Sequence, residues 1–205
     1  MIGSHDSFTY LSSTSFLFNV FKRLWKTQKY NIVEQYNRGV RMFDIRVRRD
    51  NGYWRVCHGI CDLKLSFPTL DSICIYMMKE CPEAIYRIVL ERGQERIFKL
   101  ETIYNSGEKI TDRFPNLWRV DIKSTNNWMG NICNNNMELY KRGYKFALSN
   151  TWEEPACELH GIVTLKNFYK INLRKEANKI NRKVYNVYTS KELYGKEKLF
   201  LLDYV

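Results

Sequence analysis

The sequence predicts an α/β protein with a mostly parallel sheet. Apolar strands alternate with amphipathic helices about six to eight times, which is the pattern of a parallel sheet covered by helices. No internal repeat, Pro/Gly-rich linker or long charge block interrupts the 205 residues, so we expect one domain spanning 1–205. The hydrophobic fraction of 44% is enough for a sizeable core. A (β/α)8-type barrel typically has ~250 residues, so a barrel built from this chain would be small.

The first half of the chain supplies the clearer elements. Phe16, Val20 and Leu24 recur at helical spacing, whereas Met42, Asp44 and Arg46 alternate with their neighbours as a strand requires. Ser66 and Pro68 suit the cap and first turn of a later helix. In chain order we predict helices 15–26 and 31–38, strands 40–47 and 53–57, helix 66–80 and strand 84–90.

The second half is less regular. Residues 116–123 form a strand or part of a long loop, and both alternatives stay open. Further strands are predicted at 144–149, 161–165, 184–189 and 199–205, with a helix over 167–183.

The net charge indicates which class of binding partner to expect. Lys and Arg number 33 against 22 Asp and Glu, which gives a net charge of +11 and favours an anionic partner or simply aids solubility. No stretch approaches the ~18–20 apolar residues of a membrane span, and the start lacks a signal-peptide pattern, so we expect a cytoplasmic location. No helix–turn–helix, zinc-finger or RNA-binding signature occurs, which ranks nucleic acid below lipid.

The cysteines indicate neither a disulfide scaffold nor a metal site. The six are scattered without a CxxC pair, so reduced thiols are expected. Cys57, His58 and Cys61 could suggest zinc, but no second ligand pair follows at a usable spacing.

Charged residues at strand ends indicate a site. His5 lies in a polar turn and His58 follows strand 53–57, both at carboxyl ends, where barrel enzymes place catalysis. Asp44 and Arg46 share one face of strand 40–47 and point inward on a barrel. They could form only a buried ion pair, or hold a phosphate and orient a histidine. Asp203 ends an apolar strand and needs a partner.

These residues lie in motifs that resemble a known family. The motifs are Ile-Gly-Ser-His-Asp-Ser at 2–7, Glu-Gln-Tyr-Asn-Arg-Gly-Val-Arg-Met-Phe-Asp-Ile-Arg at 34–46, His-Gly at 58–59 and Phe-Leu-Leu-Asp-Tyr-Val at 200–205. They resemble the X domain of phosphatidylinositol-specific phospholipase C, with the closest likeness to its bacterial, metal-independent branch. The likeness is specific over 2–59 and looser beyond.

The resemblance implies a small, distorted or incomplete TIM-type (β/α)8 barrel and in-line attack on a phosphodiester. His5 would be the general base toward the inositol 2-hydroxyl, and His58 the general acid toward the departing diacylglycerol oxygen. Arg46 would bind the phosphate. The product would be a cyclic inositol phosphate, and the substrate a phospholipid at an anionic membrane surface, cleaved by a monomer. The supporting carboxylates would be Asp203 at His5, Asp6 at His58, and Asp44 at Arg46 or His58.

The resemblance also bears on metals and specificity. Metal-dependent relatives carry Glu-x-Asp where this chain has Asp44-Ile45-Arg46, and a cationic Arg46 would not share its pocket with a metal. We therefore expect no metal and no cofactor, although Glu91 stands where those relatives place a carboxylate ligand. Arg92 could contact the headgroup instead. Asn150 would replace an inositol-binding arginine, which leaves inositol specificity open.

Three alternatives remain from the sequence. A metal-dependent glycerophosphodiester-type phosphodiesterase and an inactive barrel that binds anionic lipid both fit the same motifs. The aromatic and basic helix 15–26 could lie in a lipid interface or pack on the barrel. His160 stands in a predicted loop, and a surface or structural role is expected for it.

Overall fold

The computed structural model describes residues 2–22, 25–91, 94–122, 174–175, 177–179, 181–182, 200–202 and 204–205. The predicted strands 144–149, 161–165 and 184–189 lie outside these ranges, and helix 167–183 is described only at the helical residues 174–175, 177–179 and 181–182. The elements are β1 (Ile2–Ser4), α1 (Phe16–Val20), α2 (Ile32–Asn37), β2 (Val40–Asp50), β3 (Tyr53–His58), β4 (Cys61–Phe67), α3 (Leu70–Glu80), β5 (Ile85–Leu90), α4 (Glu95–Thr102), α5 (Ile110–Arg113), β6 (Leu117–Ile122) and β7 (Phe200–Leu202).

The described strands form one sheet whose parallel part runs β7–β1–β2–β5–β6. The strands from the two ends of the chain lie side by side, with Gly3 opposite Leu201. This pairing confirms the α/β class with a largely parallel sheet. Residues 116–123, left open between strand and loop, supply β6. Closure into a full barrel would need further strands from outside the described residues.

A β-hairpin interrupts the alternation of strands and helices. Val47 pairs with Val56 of β3 on one edge of β2 and with Leu90 of β5 on the other. β1 and β3 share the edge of β2 that faces away from β5. β1 pairs with the first part of this edge, at 40–43, and β3 runs antiparallel along the last part, at 47–50. The overall alternation of strands and helices fails here, because β2, β3 and β4 follow one another through turns. The consecutive strands 40–47 and 53–57 were predicted, whereas β4 was not. The hairpin returns the chain to the carboxyl end of β1.

Two predicted helices differ from the structure. Helix 66–80 begins only at Leu70, because Thr69 rather than Ser66 accepts the capping hydrogen bond, from the Ser72 amide. The preceding residues form β4, paired with β3. Helix 15–26 is confined to α1, since the chain leaves the helix to bury the Trp25 side chain, whose Nε1 donates to the Phe18 carbonyl at 2.6 Å.

Other elements match their predictions within a few residues. The strands predicted at 40–47, 53–57 and 84–90 are β2, β3 and β5, and helix 31–38 is α2. A capping box between Asn31 and Glu34 begins α2. The short helices α4 and α5 were not predicted. Within the described residues, no helix is both long enough and apolar enough to span a bilayer.

Candidate active site

Six polar side chains converge at the carboxyl ends of the parallel strands. They come from the turn after β1, from β2, from the end of β3 and from the residue after β5, and they are His5, Asp6, Asp44, Arg46, His58 and Glu91. All are buried except His58, which is partly exposed. Parallel strands end at one edge of a sheet, so residues distant in the sequence meet there.

The carboxylate of Asp6 lies between both histidines. Its Oδ2 is 3.1 Å from His58 Nε2 and 3.6 Å from His5 Nε2, and its Oδ1 forms an ion pair with Arg46 Nε. Burial by itself would raise the pKa of Asp6, but the charges of Arg46, His5 and His58 together hold that pKa well below its usual value. Asp6 therefore stays ionised at neutral pH, between the two imidazoles.

The turn that carries Asp6 is held from several sides. Asp6 adopts a positive φ of 47°, a left-handed conformation that aspartate tolerates better than most residues. Its carbonyl accepts hydrogen bonds from the backbone amide of Thr9 at 3.0 Å and the hydroxyl of Thr9 at 2.9 Å. The Ser7 hydroxyl accepts from the Asp44 amide at 2.9 Å, which ties the turn to β2.

Arg46 is the cationic centre of the cluster. Its Nη2 lies 2.8 Å from His5 Nε2, its Nε and Nη2 are each 3.4 Å from Asp44 Oδ2, and its Nη1 is 3.6 Å from Glu91 Oε1. A guanidinium only donates, so His5 Nε2 accepts, and neutral His5 carries its proton on Nδ1. Burial would lower the pKa of Arg46, but the three carboxylates raise it above its ordinary value.

His58 has a different environment from His5. Its Nδ1 lies 2.7 Å from the Trp25 carbonyl oxygen, which can only accept, so Nδ1 carries a proton. When Nε2 is also protonated, it can donate to Asp6. The side chain of His58 is 19% exposed, whereas that of His5 is 2% exposed, so His58 is the histidine on the solvent side.

Three further residues, not predicted from the sequence, support the cluster. Arg87 on β5 is opposite Asp44 in register, with its Nε 3.7 Å from Asp44 Oδ1 and 3.1 Å from Asp121 Oδ2, and burial lowers its pKa to about 10. Gln28 donates from Nε2 to the carbonyls of His5 and Leu202, at 2.8 Å each. Trp25 supplies the carbonyl for His58. Arg87 could have been found from the sequence, because a single arginine in the apolar strand 84–90 needs a buried partner. The roles of Gln28 and Trp25 could not, because they depend on contacts with backbone carbonyls, which any residue can make.

The structure thus brings together six of the predicted site residues: His5, Asp6, Asp44, Arg46, His58 and Glu91. Asp203, Arg92, Asn150 and His160 lie outside the described residues. The catalytic and substrate-binding roles given to all of these residues stay predictions.

The donor set does not suit a metal ion. In the part of the chain that the structure describes, one group of metal-capable side chains gathers, formed by His5, Asp6 and Asp44, with ligand atoms within 4.8 Å of one another. Arg46 contacts all three side chains, so a cation there would meet a buried guanidinium. Cys57, His58 and Cys61 do not form such a group, and burial raises the pKa of the Cys57 thiol.

Comparison with solved structures finds proteins of similar fold. A mutant of the phosphatidylinositol-specific phospholipase C of Staphylococcus aureus matches with a TM-score of 0.53 and 15% identity, covering all of this chain and 85% of that one. A double mutant of the same enzyme reaches a TM-score of 0.56 at 15% identity, over 84% of its length. The enzyme of Listeria monocytogenes matches with a TM-score of 0.53 and 13% identity, over 87% of its length. At these identities the likeness establishes the fold alone. No protein-family model and no curated protein matches the chain.

Proposed function

We propose that this chain is a phosphodiesterase that cleaves phosphatidylinositol, or a related lipid headgroup phosphodiester, by general acid–base catalysis. The observation that carries the proposal is the pair of imidazoles on one buried carboxylate, with Arg46 reaching the first of them. One neutral and one protonated histidine are what in-line attack on a phosphodiester needs near neutral pH. The fold shared with bacterial phospholipases agrees with this reaction class.

His5 is the proposed general base. Its Nε2 now accepts a hydrogen bond from Arg46 Nη2. A bound phosphodiester offers anionic oxygens that match the guanidinium better than a neutral imidazole does. We expect Arg46 to donate to those oxygens, where charge grows in the transition state, and to leave His5 Nε2 to take the proton of the attacking inositol hydroxyl.

His58 is the proposed general acid. Its protonated form can donate through Nδ1 to the Trp25 carbonyl and through Nε2 to Asp6. When Nε2 turns its proton to the departing oxygen, diacylglycerol leaves and a cyclic inositol phosphate remains. The Asp6 carboxylate stabilises the imidazolium and orients it without taking the proton itself.

The exposed helix α1 supports a lipid surface as the site of action. Phe16, Leu17, Val20 and Phe21 are 80%, 65%, 56% and 50% exposed, and α1 contains no buried residue. This favours the interfacial alternative over a helix packed on the barrel. The site residues of the proposal all come from one chain, so a monomer suffices.

A metal-dependent phosphodiesterase is the second candidate, since His5, Asp6 and Asp44 form a donor cluster with Glu91 nearby. The position of Arg46 weighs against it. A catalytically inactive barrel that binds anionic lipid is the third.

One assay separates the three. Release of inositol phosphate from phosphatidylinositol vesicles is measured in EDTA for the wild type, His5→Ala and His58→Ala, with His160→Ala as the matched histidine control. We expect losses of about 10²–10⁴-fold for the first two variants and none for the control. Activity only with added Ca²⁺ or Mg²⁺ favours the metal-dependent enzyme, and vesicle binding without turnover favours the inactive barrel. Equal activity in all four proteins would refute the site.

A further inference from the structure

A basic cavity lies apart from the histidine cluster. Its volume is about 380 Å³, and it is bounded by the segment before α2, the end of α2, the helical residues 174–175, 177–179 and 181–182, and the last two residues of the chain. None of the residues of the candidate active site lines it. We call it the lateral cavity.

Four cations line the lateral cavity. They are Lys29, Arg38, Arg174 and Arg182, all exposed, and its described lining contains neither Asp nor Glu. Two arginines elsewhere on the surface pair with a carboxylate, Arg55 with Asp50 at 3.0 Å and Arg113 with Asp71 at 3.2 Å. Like charges gathered in one concavity repel each other, and a bound anion would relieve that repulsion.

Tyr30 organises two of these cations. The Arg38 guanidinium lies 3.7 Å from the centre of its ring, and Lys29 Nζ is 4.7 Å from the same point and 3.3 Å from the hydroxyl. Hydrogen bonding to Lys29, followed by the charges of Arg38, Lys29 and Arg174, lowers the pKa of Tyr30. The Tyr30 ring thus holds the two cations in place. Its lowered pKa indicates a positive electrostatic potential in the cavity.

We propose that the lateral cavity binds a phosphate-bearing anion, free in solution or as the headgroup of a phospholipid. Its volume lies at the lower end of the ~300–1,000 Å³ of small-molecule sites. Three guanidinium groups can each present paired donors to phosphate oxygens, and Asn178 adds a neutral amide. A cavity of this volume, open on one side, suits one compact anion, whereas nucleic acid needs a groove that follows its backbone. The proposal is independent of catalysis at His5 and His58.

Binding is measured by calorimetric titration with inorganic pyrophosphate and by sedimentation with phosphatidic acid or pure phosphatidylcholine vesicles. The test protein is Arg38→Gln/Arg182→Gln, and Lys29→Gln/Arg174→Gln repeats the test from the other two cations. The matched control, Lys79→Gln/Lys99→Gln, removes the same charge from exposed ends of α3 and α4. Thermal unfolding checks that each variant is folded.

We expect about tenfold or more weaker binding of pyrophosphate, of phosphatidic acid vesicles or of both for either cavity variant, and little change for the control. Loss for pyrophosphate identifies a free anion, and loss for vesicles alone identifies a headgroup. Unchanged binding, an equal loss in the control, or cavity-dependent binding of an oligonucleotide only would overturn the proposal. Binding is read without turnover, so the result stands whether or not the chain cleaves phosphatidylinositol.

Discussion

Replacing Arg46 by Met tests the electrostatics of the site most directly. The change keeps an unbranched apolar stem but removes the guanidinium that contacts the buried carboxylates of Asp6, Asp44 and Glu91. Removing one partner of a buried ion pair costs about 3–5 kcal/mol. At about 2–4 °C per kcal/mol for a chain of this size, we expect Tm to fall by roughly 6–20 °C at pH 7.

The destabilisation should depend on pH. In the wild type the folded pKa of Asp6 is depressed, so its stabilisation is complete above the unfolded value of about 3.9 and is lost as pH falls through the folded value. Without Arg46, the largest of the charges that lower the pKa of Asp6 is lost while the burial that raises it remains, so the folded pKa of Asp6 rises and less of that stabilisation is left. The gap in Tm between the two proteins should therefore be widest near neutrality and narrow toward and below about pH 4.

Thermal unfolding followed by circular dichroism from pH 4 to 7 measures this gap. Arg113→Met is the control, because its pair with Asp71 lies at the surface, where solvent screens it and its contribution to stability is small. Arg46→Lys should recover part of the stability but little of the lipid cleavage, since an ammonium group cannot present a guanidinium fork. A gap for Arg46→Met that stays constant with pH, or no gap at all, would refute the reasoning.

Two further substitutions probe the surroundings of the site. Gln28→Leu removes one donor from each of the carbonyl oxygens of His5 and Leu202. The Leu202 oxygen keeps the His5 amide at 3.0 Å and the His5 oxygen keeps the Thr27 hydroxyl at 3.4 Å. We therefore expect a loss of about 0.5–1.5 kcal/mol for each bond in denaturant unfolding, with reduced cleavage, and wild-type stability would contradict the role of this amide. Phe16→Ser should weaken vesicle binding about tenfold or more without lowering Tm, since the ring is 80% exposed. Ile75→Ser, at a 60% exposed position of α3, should change neither property, and an equal effect of both would argue against α1 as the lipid contact.

Local periodicity explains why part of the site was predictable. Alternation along β2 places Asp44 and Arg46 on one face, and the structure has both buried on the face toward His5. The same alternation in β4, with Cys61, Leu63 and Phe67 buried, was a readable strand signal, but residues 61–65 were assigned to no element and 66–67 to the helix. Sequence spacing therefore identifies the face of a strand well, but not where the neighbouring element begins.

The signal for the direction of β3 lies in the turn before it rather than in the strand. Asn51 and Gly52 both have positive φ and form a two-residue turn that joins antiparallel strands. The sequence does not show that β3 pairs with β2 beyond β1, which is what brings His58 back to Asp6. The contacts of Trp25 and Gln28 likewise depend on backbone carbonyls, which every residue possesses. Tertiary geometry alone decides which of those carbonyls meets a histidine or an amide.

The two proposed catalytic histidines differ in a way that matches an enzyme working at a lipid surface. His5, the proposed base, is buried beside β7, where a polar inositol ring would be enclosed. His58, the proposed acid, is partly exposed and bonds to Trp25, whose indole bonds in turn to Phe18 of the exposed helix α1. The acid that must protonate the diacylglycerol oxygen therefore lies on the side where α1 would meet the bilayer. Residues 16–25 would therefore both contact the lipid and hold the histidine that protonates the leaving group. We expect a change in α1 to alter turnover on vesicles more than turnover on a short-chain, water-soluble substrate.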